Sequence, residues 1–185
     1  DGSEALMTGS SMNLIEQFKE KIRNHPPRIV YPEGDDERII RAALQVLDEG
    51  IAEPVLVGDP GEVEEAARGA GLDPEGLEVV SPRESGWLEE FTDEYARIRD
   101  VKTRIAGRLT VRPLFFGGMM VRTGRAGGMI AGADHATGSV IQAASLTIGL
   151  EPGFSSPTSY FIMVVPEFLE EKDKIFIFAD SAVNV

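Results

Sequence analysis

The feature that most constrains the fold is a regular alternation of short apolar segments with amphipathic segments over residues 28–80. The apolar runs RIVYP (28–32), EPVLVG (53–58) and LEVV (77–80) have the length of buried strands. Between them lie segments with helical spacing of apolar residues, the second of which ends at Gly69. Such alternation is typical of right-handed βαβ units. The sequence therefore predicts an α/β fold with a parallel or mixed sheet and flanking helices.

The remaining elements are predicted from the same periodicities. Residues 1–12 are small, polar and aperiodic, which indicates an unstructured leader or a cloning remnant. We predict a first α/β domain over 13–126 and the start of a second over 127–185. That second domain is expected to be incomplete, because the last strand has no following helix. In chain order the predicted elements outside 28–80 are a helix at 13–24, helical regions at 86–107 and 110–124, a strand at 127–132, a helix at 139–149, and strands at 160–165 and 174–178.

Charge and composition exclude several classes of function. The formal net charge is −13, which argues against a general nucleic-acid binder. The chain has no cysteine and only two histidines, so it cannot form a disulfide, a thiolate site or a multi-histidine metal site. No metal or resident cofactor is predicted. No GxSxG or GxxxxGK[ST] motif occurs, so neither a serine nucleophile elbow nor a Walker-type phosphate loop is supported.

Two loops and one helical region are the candidates for binding chemistry. The turn 132–138 follows a predicted strand and precedes a helix, an arrangement that often presents backbone N–H groups to an anion. In it, His135 could donate to a phosphate or carbonyl oxygen, whereas an ordinary βα connection would need the same small residues. The second loop, Ser155–Ser159, carries hydroxyl groups. Six basic residues could grip a phosphate or form a solvated face: Arg97, Arg99, Lys102, Arg104, Arg108 and Arg112.

An acidic group at 33–37 has two interpretations. Glu33, Asp35, Asp36 and Glu37 could bind a cation or act as an acid–base pair. Carboxylates also cap helix N-termini, where they accept from free N–H groups and complement the helix dipole. The position just before an amphipathic segment favours the second interpretation, with Asp35 or Asp36 as the cap.

Three segments together resemble the phosphate acyltransferases, chiefly the phosphate acetyltransferases, in the N-terminal part of that family. They are RIVYPEGDDERIIRAALQVLDEGIAEPVLVG, PLFFGGMMVRTGRAGGMIAGADHATGSVIQAA, and SYFIMVVP with IFIFADSAVNV. The resemblance implies a two-domain architecture like that of isocitrate and isopropylmalate dehydrogenases, here truncated. It also implies a cytoplasmic homodimer that uses coenzyme A (CoA) as substrate and needs no metal or redox cofactor.

By position, the resemblance implies which residues contact substrates. Gly132, His135 and Thr137 match the substrate-binding loop, and Ser159 with Tyr160 matches a hydroxyl and aromatic pair. Arg99 falls near a helical arginine that contacts CoA. Where the family usually carries Arg-Pro in the helix after the loop, this chain has Gln142-Ala143. The family's catalytic arginine and thiol base lie in a C-terminal half, so we expect them beyond Val185.

The implied reaction is acetyl-CoA + phosphate = acetyl phosphate + CoA, by direct attack of the thiol in a ternary complex. An acetyl group is expected over a butyryl group. Two further hypotheses remain open at this stage. One is a non-catalytic acyl-CoA-sensing regulatory domain, which Gln142 favours. The other is a decarboxylating dehydrogenase of the related fold, although no motif for its metal or nucleotide is present.

Overall fold

The computed structural model describes residues 14–169 and 171–179, and within them the chain forms two units. The larger unit is His25–Ser156. The described part of the smaller unit comprises residues 14–24, 157–169 and 171–179. In chain order the elements are α1 Leu14–Arg23, β1 Arg28–Tyr31, α2 Glu37–Asp48, β2 Glu53–Val57, α3 Pro60–Gly69, β3 Glu78–Val80, α4 Leu88–Arg99, α5 Thr103–Thr110, α6 Pro113–Arg122, β4 Gly128–Met129, α7 Thr137–Thr147, β5 Tyr160–Phe168 and β6 Glu171–Ala179.

The larger unit is built on a four-stranded parallel sheet in the order β3-β2-β1-β4. Strand β1 is one of the two inner strands, with Val30 opposite Val55 of β2 and also opposite Met129 of β4. The predicted α/β class with a parallel sheet is confirmed. The alternation at short spacing sufficed for this prediction because each connecting helix is the crossover that a parallel pair requires.

Side-chain alternation along the strands divides the core into two layers. Val30 and Val55 face one side of the sheet, where they pack with α4, α5, α6 and α7. Tyr31 and Leu56 are their chain neighbours and face the opposite side, where they pack with α2 and α3. Strands covered on both faces become apolar throughout, which explains the unbroken runs in the sequence.

The helical regions predicted at 86–107 and 110–124 are wrong in their boundaries. The first is interrupted where Asp100 adopts a left-handed conformation with φ of 50°, so α4 ends at Arg99 and α5 begins at Thr103. Helix α6 begins only at Pro113, a residue suited to the first helical turn because it needs no N–H partner there. The helix predicted at 139–149 instead occupies Thr137–Thr147.

The strand predicted at 127–132 is also shorter than expected. Only Gly128 and Met129 form β4, although the N–H of Ile130 still donates to the carbonyl oxygen of Val30 at 3.0 Å. The chain then leaves the sheet, with φ of 113° at Gly132, a conformation that glycine tolerates because it has no Cβ. The backbone beyond it binds a side chain instead of a neighbouring strand, as described below.

In the smaller unit, β5 and β6 form an antiparallel hairpin. Both strands are longer than the predicted 160–165 and 174–178. Both faces carry apolar side chains: Phe161 lies opposite Phe178, and Ile162 lies opposite Ile177, with all four exposed. The predicted domain limits and the dehydrogenase-like architecture stay predictions. Among residues 14–169 and 171–179, no helix has both the length and the apolar character needed to cross a membrane.

Candidate functional site

The candidate site lies at the carboxyl edge of the parallel sheet, where the turns after β1, β2, β3 and β4 come together. Open sheets of this kind bind ligands at that edge. A cavity of about 390 Å³ there is lined by Pro32, Glu33, Asp35, Asp36, Pro113, Asp134 and His135. A second cavity of about 360 Å³ shares Pro32, Asp35 and Pro113 and extends toward Asp59 and Arg83. Residues that follow all four strands of the sheet therefore line two cavities, which share three of their residues.

The centre of this region is the buried carboxylate of Glu33, which is only 4% exposed. Its Oε2 accepts from the N–H groups of Gly132 at 2.8 Å and Ala133 at 2.9 Å. Its Oε1 accepts from the N–H groups of Asp134 and His135, each at 2.9 Å, and lies 2.8 Å from Nδ1 of the His135 ring. One carboxylate thus takes four consecutive backbone N–H groups and one ring nitrogen. The polypeptide from 132 to 135 is wrapped around an anion that the protein itself supplies.

These contacts decide the ionisation state of Glu33. Burial by itself raises the pKa of this carboxyl group, because it penalises the charged form. The backbone hydrogen bonds from Asp134 and Ala133, together with those from the ring and backbone of His135, outweigh that effect and lower the pKa to about 2. Glu33 is therefore ionised at neutral pH, and its charge stabilises the loop.

Asp36 and Arg38 support the same loop from the start of α2. Asp36 is the N-cap of that helix, because its Oδ1 accepts from the N–H of Arg38 at 2.8 Å. The Arg38 guanidinium also binds Asp36, and its hydrogen bond, with the charge behind it, lowers the pKa of that carboxyl group to about 2. The same guanidinium donates to the carbonyl oxygen of Ala133 at 2.7 Å. The capping interpretation of the acidic group is thus confirmed for Asp36, whereas Glu33 has a role that neither interpretation included.

One of the two interpretations of the 132–138 loop from the sequence was that it offers backbone N–H groups to a bound anion. In the structure the N–H groups of residues 132–135 are already occupied by Glu33. The predicted contact of Gly132 with a substrate stays a prediction, and its N–H donates to Glu33. The next candidates along the chain are the first residues of α7. The N-cap of this helix, Ala136, forms no side-chain capping hydrogen bond, and Thr137 is exposed.

His135 combines an engaged ring nitrogen with an accessible ring. Its side chain is 40% exposed and lines the 390 Å³ cavity. Ionised Glu33 can only accept hydrogen bonds, so Nδ1 of His135 must carry the proton that joins them. In the neutral ring the other nitrogen, Nε2, then carries no proton. Of the predicted substrate residues, Gly132 and His135 are brought together by Glu33, and Thr137 follows two residues later.

The other predicted residues lie elsewhere in the chain. Arg99 is the exposed last residue of α4. Burial raises the pKa of the nearby Tyr95, and the charge of Arg99 opposes this effect only in part. Ser159 and Tyr160 belong to the smaller unit, and Tyr160 is the exposed first residue of β5. Their predicted role in binding stays a prediction. Within the basic group, Arg97 pairs with Glu94 through two hydrogen bonds of 2.8 Å, which fits the solvated-face interpretation for that residue.

Glu33 is the residue of the site whose role the sequence analysis missed. Its carboxyl group was visible next to a strand, but its partners lie 99 to 102 positions further along the chain. No local pattern connects such residues. Across 14–169 and 171–179, no group of three or more histidine, aspartate and glutamate side chains is arranged to hold a metal ion.

The fold and the site together define an α/β protein with a polar pocket at the carboxyl edge of a parallel sheet. The model of the Phosphate acetyl/butaryl transferase family matches residues 13–185. The phosphate acetyltransferase of Thermoanaerobacterium thermosaccharolyticum is 36% identical over 176 residues, which are 94% of this chain and 53% of that protein. The chain therefore belongs to this family, and it spans about half the length of the curated relatives it matches.

Two solved structures are similar in fold as well as in sequence. The EutD phosphotransacetylase from Staphylococcus aureus has a TM-score of 0.82 and 30% identity, covering 92% of this chain and 50% of that one. A phosphotransacetylase from Streptococcus pyogenes has a TM-score of 0.83 and 30% identity, covering 94% of this chain and 53% of that one. The architecture is thus shared with the first half of two phosphotransacetylases.

Proposed function

We propose that this protein takes part in the reversible transfer of an acetyl group between coenzyme A and inorganic phosphate. Membership of the family and the names of its relatives support this proposal. Because the chain spans about half of the relatives named above, the activity is proposed for the whole protein that contains it. We propose further that it works as a cytoplasmic homodimer and uses no resident metal or redox cofactor.

The proposed chemistry is a direct acyl transfer in a ternary complex. The thiol of CoA loses its proton, and the sulfur attacks the carbonyl carbon of acetyl phosphate. A carbon–sulfur bond forms while the carbon–oxygen bond to the phosphoryl group breaks, so that acetyl-CoA and phosphate are the products. The thiol needs a base, since a free thiol is only slightly ionised at neutral pH. No step requires a covalent enzyme intermediate.

The observation that carries the proposal is the fixed loop at the sheet edge. Glu33 holds residues 132–135 by five contacts. The last of these residues is His135, whose ring is accessible, and α7 begins two residues later. In the proposed role, His135 and Thr137 contact the phosphoryl or acyl oxygens. Donors that are already oriented lower the barrier because they need no rearrangement as charge moves to the leaving oxygen.

The remaining predicted contacts complete the proposal. Arg99 would bind CoA, Ser159 and Tyr160 would contact substrate, and Gly132 would act through the turn it permits. The cavity beside His135 is itself acidic, because Asp35 and Asp134 line it. Anionic substrates therefore need cationic groups in addition to His135. Gln142 is an exposed residue of α7 at the position where the family usually carries arginine.

Gln142 is the observation that favours a second candidate function. A domain that binds acyl-CoA without turning it over needs fewer cationic groups at the reacting phosphate. We therefore keep an acyl-CoA-sensing regulatory domain as the alternative to catalysis, and a phosphate butyryltransferase as the alternative in acyl-chain preference.

The test is an assay of acetyl-CoA formation from acetyl phosphate and CoA, followed by thioester absorbance. Two proteins are compared: the 185-residue chain, with its intact mass verified, and a chimera that continues after Val185 with the remainder of the Thermoanaerobacterium relative. Turnover by the chimera, lost on His135→Ala, supports the proposal. Turnover by the 185-residue chain would also support it, but would contradict the expected location of the base beyond Val185.

Other outcomes separate the alternatives. A folded chimera that binds CoA by calorimetry but shows no turnover would exclude the acyltransferase and favour the sensing domain. Faster turnover with butyryl phosphate than with acetyl phosphate would exclude the acetyl preference. The unmodified relative is the positive control for the assay and for the binding measurement.

A further inference from the structure

One side chain, that of Glu33, holds both the ring and the backbone N–H of His135. Glu33 contacts the ring through Nδ1 at 2.8 Å and the His135 backbone through its N–H at 2.9 Å. Both contacts use the same carboxylate oxygen, Oε1. The position of the ring and that of the backbone beneath it are therefore fixed by one anchor, on the first turn after β1.

The anchor itself cannot move easily. The side chain of Glu33 is 3% exposed, and its other oxygen is held by the N–H groups of Gly132 and Ala133. The carboxylate is ionised, so it offers lone pairs only. A neutral imidazole that shares a hydrogen bond with it has to place its single proton on Nδ1. Which ring nitrogen is protonated is thus set by Glu33.

We infer that Glu33 is a positioning residue that holds His135 in the Nδ1–H form and leaves Nε2 as the nitrogen that meets the ligand in the cavity. This inference rests on the proposed function for the identity of that ligand, an acyl phosphate or inorganic phosphate. The neutral ring offers a lone pair at Nε2. When Nε2 takes up a proton, it becomes a donor to a phosphoryl oxygen while Nδ1 keeps its bond to Glu33.

The residues that line the cavity beside the ring agree with the assignment of Nδ1 to Glu33 and of Nε2 to the ligand. The 390 Å³ cavity that His135 lines is bounded by Pro32 and Pro113, which offer no N–H group, and by Asp35 and Asp134. A phosphoryl group entering the cavity meets carboxylates that repel it, so a donor at Nε2 would favour its binding. If the ring were rotated so that Nε2 contacted Glu33, Nδ1 would have to meet the ligand, and it would do so from a different position.

The tautomer can be measured directly, because the chain has only two histidines, His25 and His135. Two-bond ¹H–¹⁵N correlation spectra of the ¹⁵N-labelled chain distinguish a protonated from an unprotonated ring nitrogen. The spectra are recorded near pH 8, above the ordinary histidine pKa of about 6.5, and His25→Gln assigns the two rings. We expect His135 to be predominantly Nδ1–H. A His135 ring that is Nε2–H, or a mixture like that of exposed His25, would overturn the inference.

Two variants separate positioning from general folding. In Glu33→Gln the acceptor for Nδ1 is lost or weakened, so we expect the tautomer ratio of His135 to move toward that of His25. Asp35→Asn removes the same charge from the same cavity without touching the loop, and it should leave the ratio unchanged. An unchanged ratio in a folded Glu33→Gln protein would refute the role of Glu33. Should that variant fail to fold, the spectrum of the unsubstituted chain still decides the matter.

Ligand titrations then distinguish this inference from the proposed function. Inorganic phosphate, acetyl phosphate and CoA are added separately, while calorimetry records binding. Movement of the His135 Nε2 signal on addition of either phosphate compound supports the inference. Binding of a phosphate compound without any change at Nε2 would contradict the ligand-facing role. Absence of binding by all three compounds would count against the proposed function, and the tautomer measurement alone would then judge the positioning role of Glu33.

Discussion

Replacing Glu33 with glutamine is the substitution whose effect follows most directly from the structure. The two oxygens of Glu33 accept five hydrogen bonds, whereas a glutamine offers one oxygen and an NH₂ group that faces N–H donors. The pKa of Glu33 falls from 4.5 to about 2 in the folded protein. At about 1.4 kcal/mol per pKa unit, this corresponds to roughly 3 kcal/mol of stability from the charged form. We expect Glu33→Gln to lower the free energy of unfolding by about that amount at pH 7.

The assay is urea-induced unfolding monitored by tryptophan fluorescence. Trp87 is the single tryptophan of the chain, and it packs against Phe91 and Phe116 in the larger unit, so it reports on the unit that contains Glu33. The matched control is Glu65→Gln, which removes one charge from an exposed position of α3. Exposed substitutions of this kind change stability by about 0.5 kcal/mol or less.

The pH dependence provides an independent check. A depressed folded-state pKa contributes stability that is fully present above pH 4.5 and is lost as the pH falls toward 2. The difference in the free energy of unfolding between the unsubstituted chain and Glu33→Gln should therefore become smaller as the pH is lowered from 5 to 3. Asp36 titrates in the same range, but it is present in both proteins and cancels in the difference. A loss below about 1 kcal/mol at pH 7, or a difference that does not change with pH, would refute the reasoning.

Four further substitutions, one of them a control, test other parts of the structure. Gly118→Ala places a Cβ 2.0 Å from Oγ1 of Thr147 at the crossing of α6 and α7, so we expect the free energy of unfolding in urea to fall by about 1–3 kcal/mol. In the control Gly107→Ala the new Cβ meets nothing closer than 3.6 Å, so this substitution should be neutral or stabilising by up to about 1 kcal/mol. Equal effects of the two substitutions would contradict the close approach of α6 and α7 at Gly118. Leu56→Ala removes a fully buried side chain and should cost about 2–5 kcal/mol, a value that a result under 1 kcal/mol would contradict. Gln142→Arg adds a cation on the exposed side of α7 and should tighten phosphate binding measured by calorimetry at least several-fold; unchanged affinity would place this position outside the binding region.

The sheet could be predicted from the sequence because its signal is local. Strands β1, β2 and β3 are short apolar runs separated by amphipathic helices, and both properties are read within a window of a few residues. The cap of α2 was likewise predictable, since Asp36 stands immediately before the helix it caps. The boundaries of α4, α5 and α6 were less accessible, because the break at Asp100 depends on a left-handed conformation that no strong local signal requires.

The sequence by itself determined the α/β class, the order of strand and helix in the larger unit, and the turn that carries His135. Only the tertiary structure decided what occupies that turn. Glu33 and His135 are 102 positions apart and meet because β1 and β4 are neighbours in the parallel sheet, which brings the turns after them to the same edge. The pairing of β1 with β4 depends on packing contacts throughout the core between residues that are far apart in the sequence. A buried carboxylate needs hydrogen-bond donors, and only the folded chain brings the N–H groups of the loop to Glu33. The loop therefore encloses the carboxylate of Glu33.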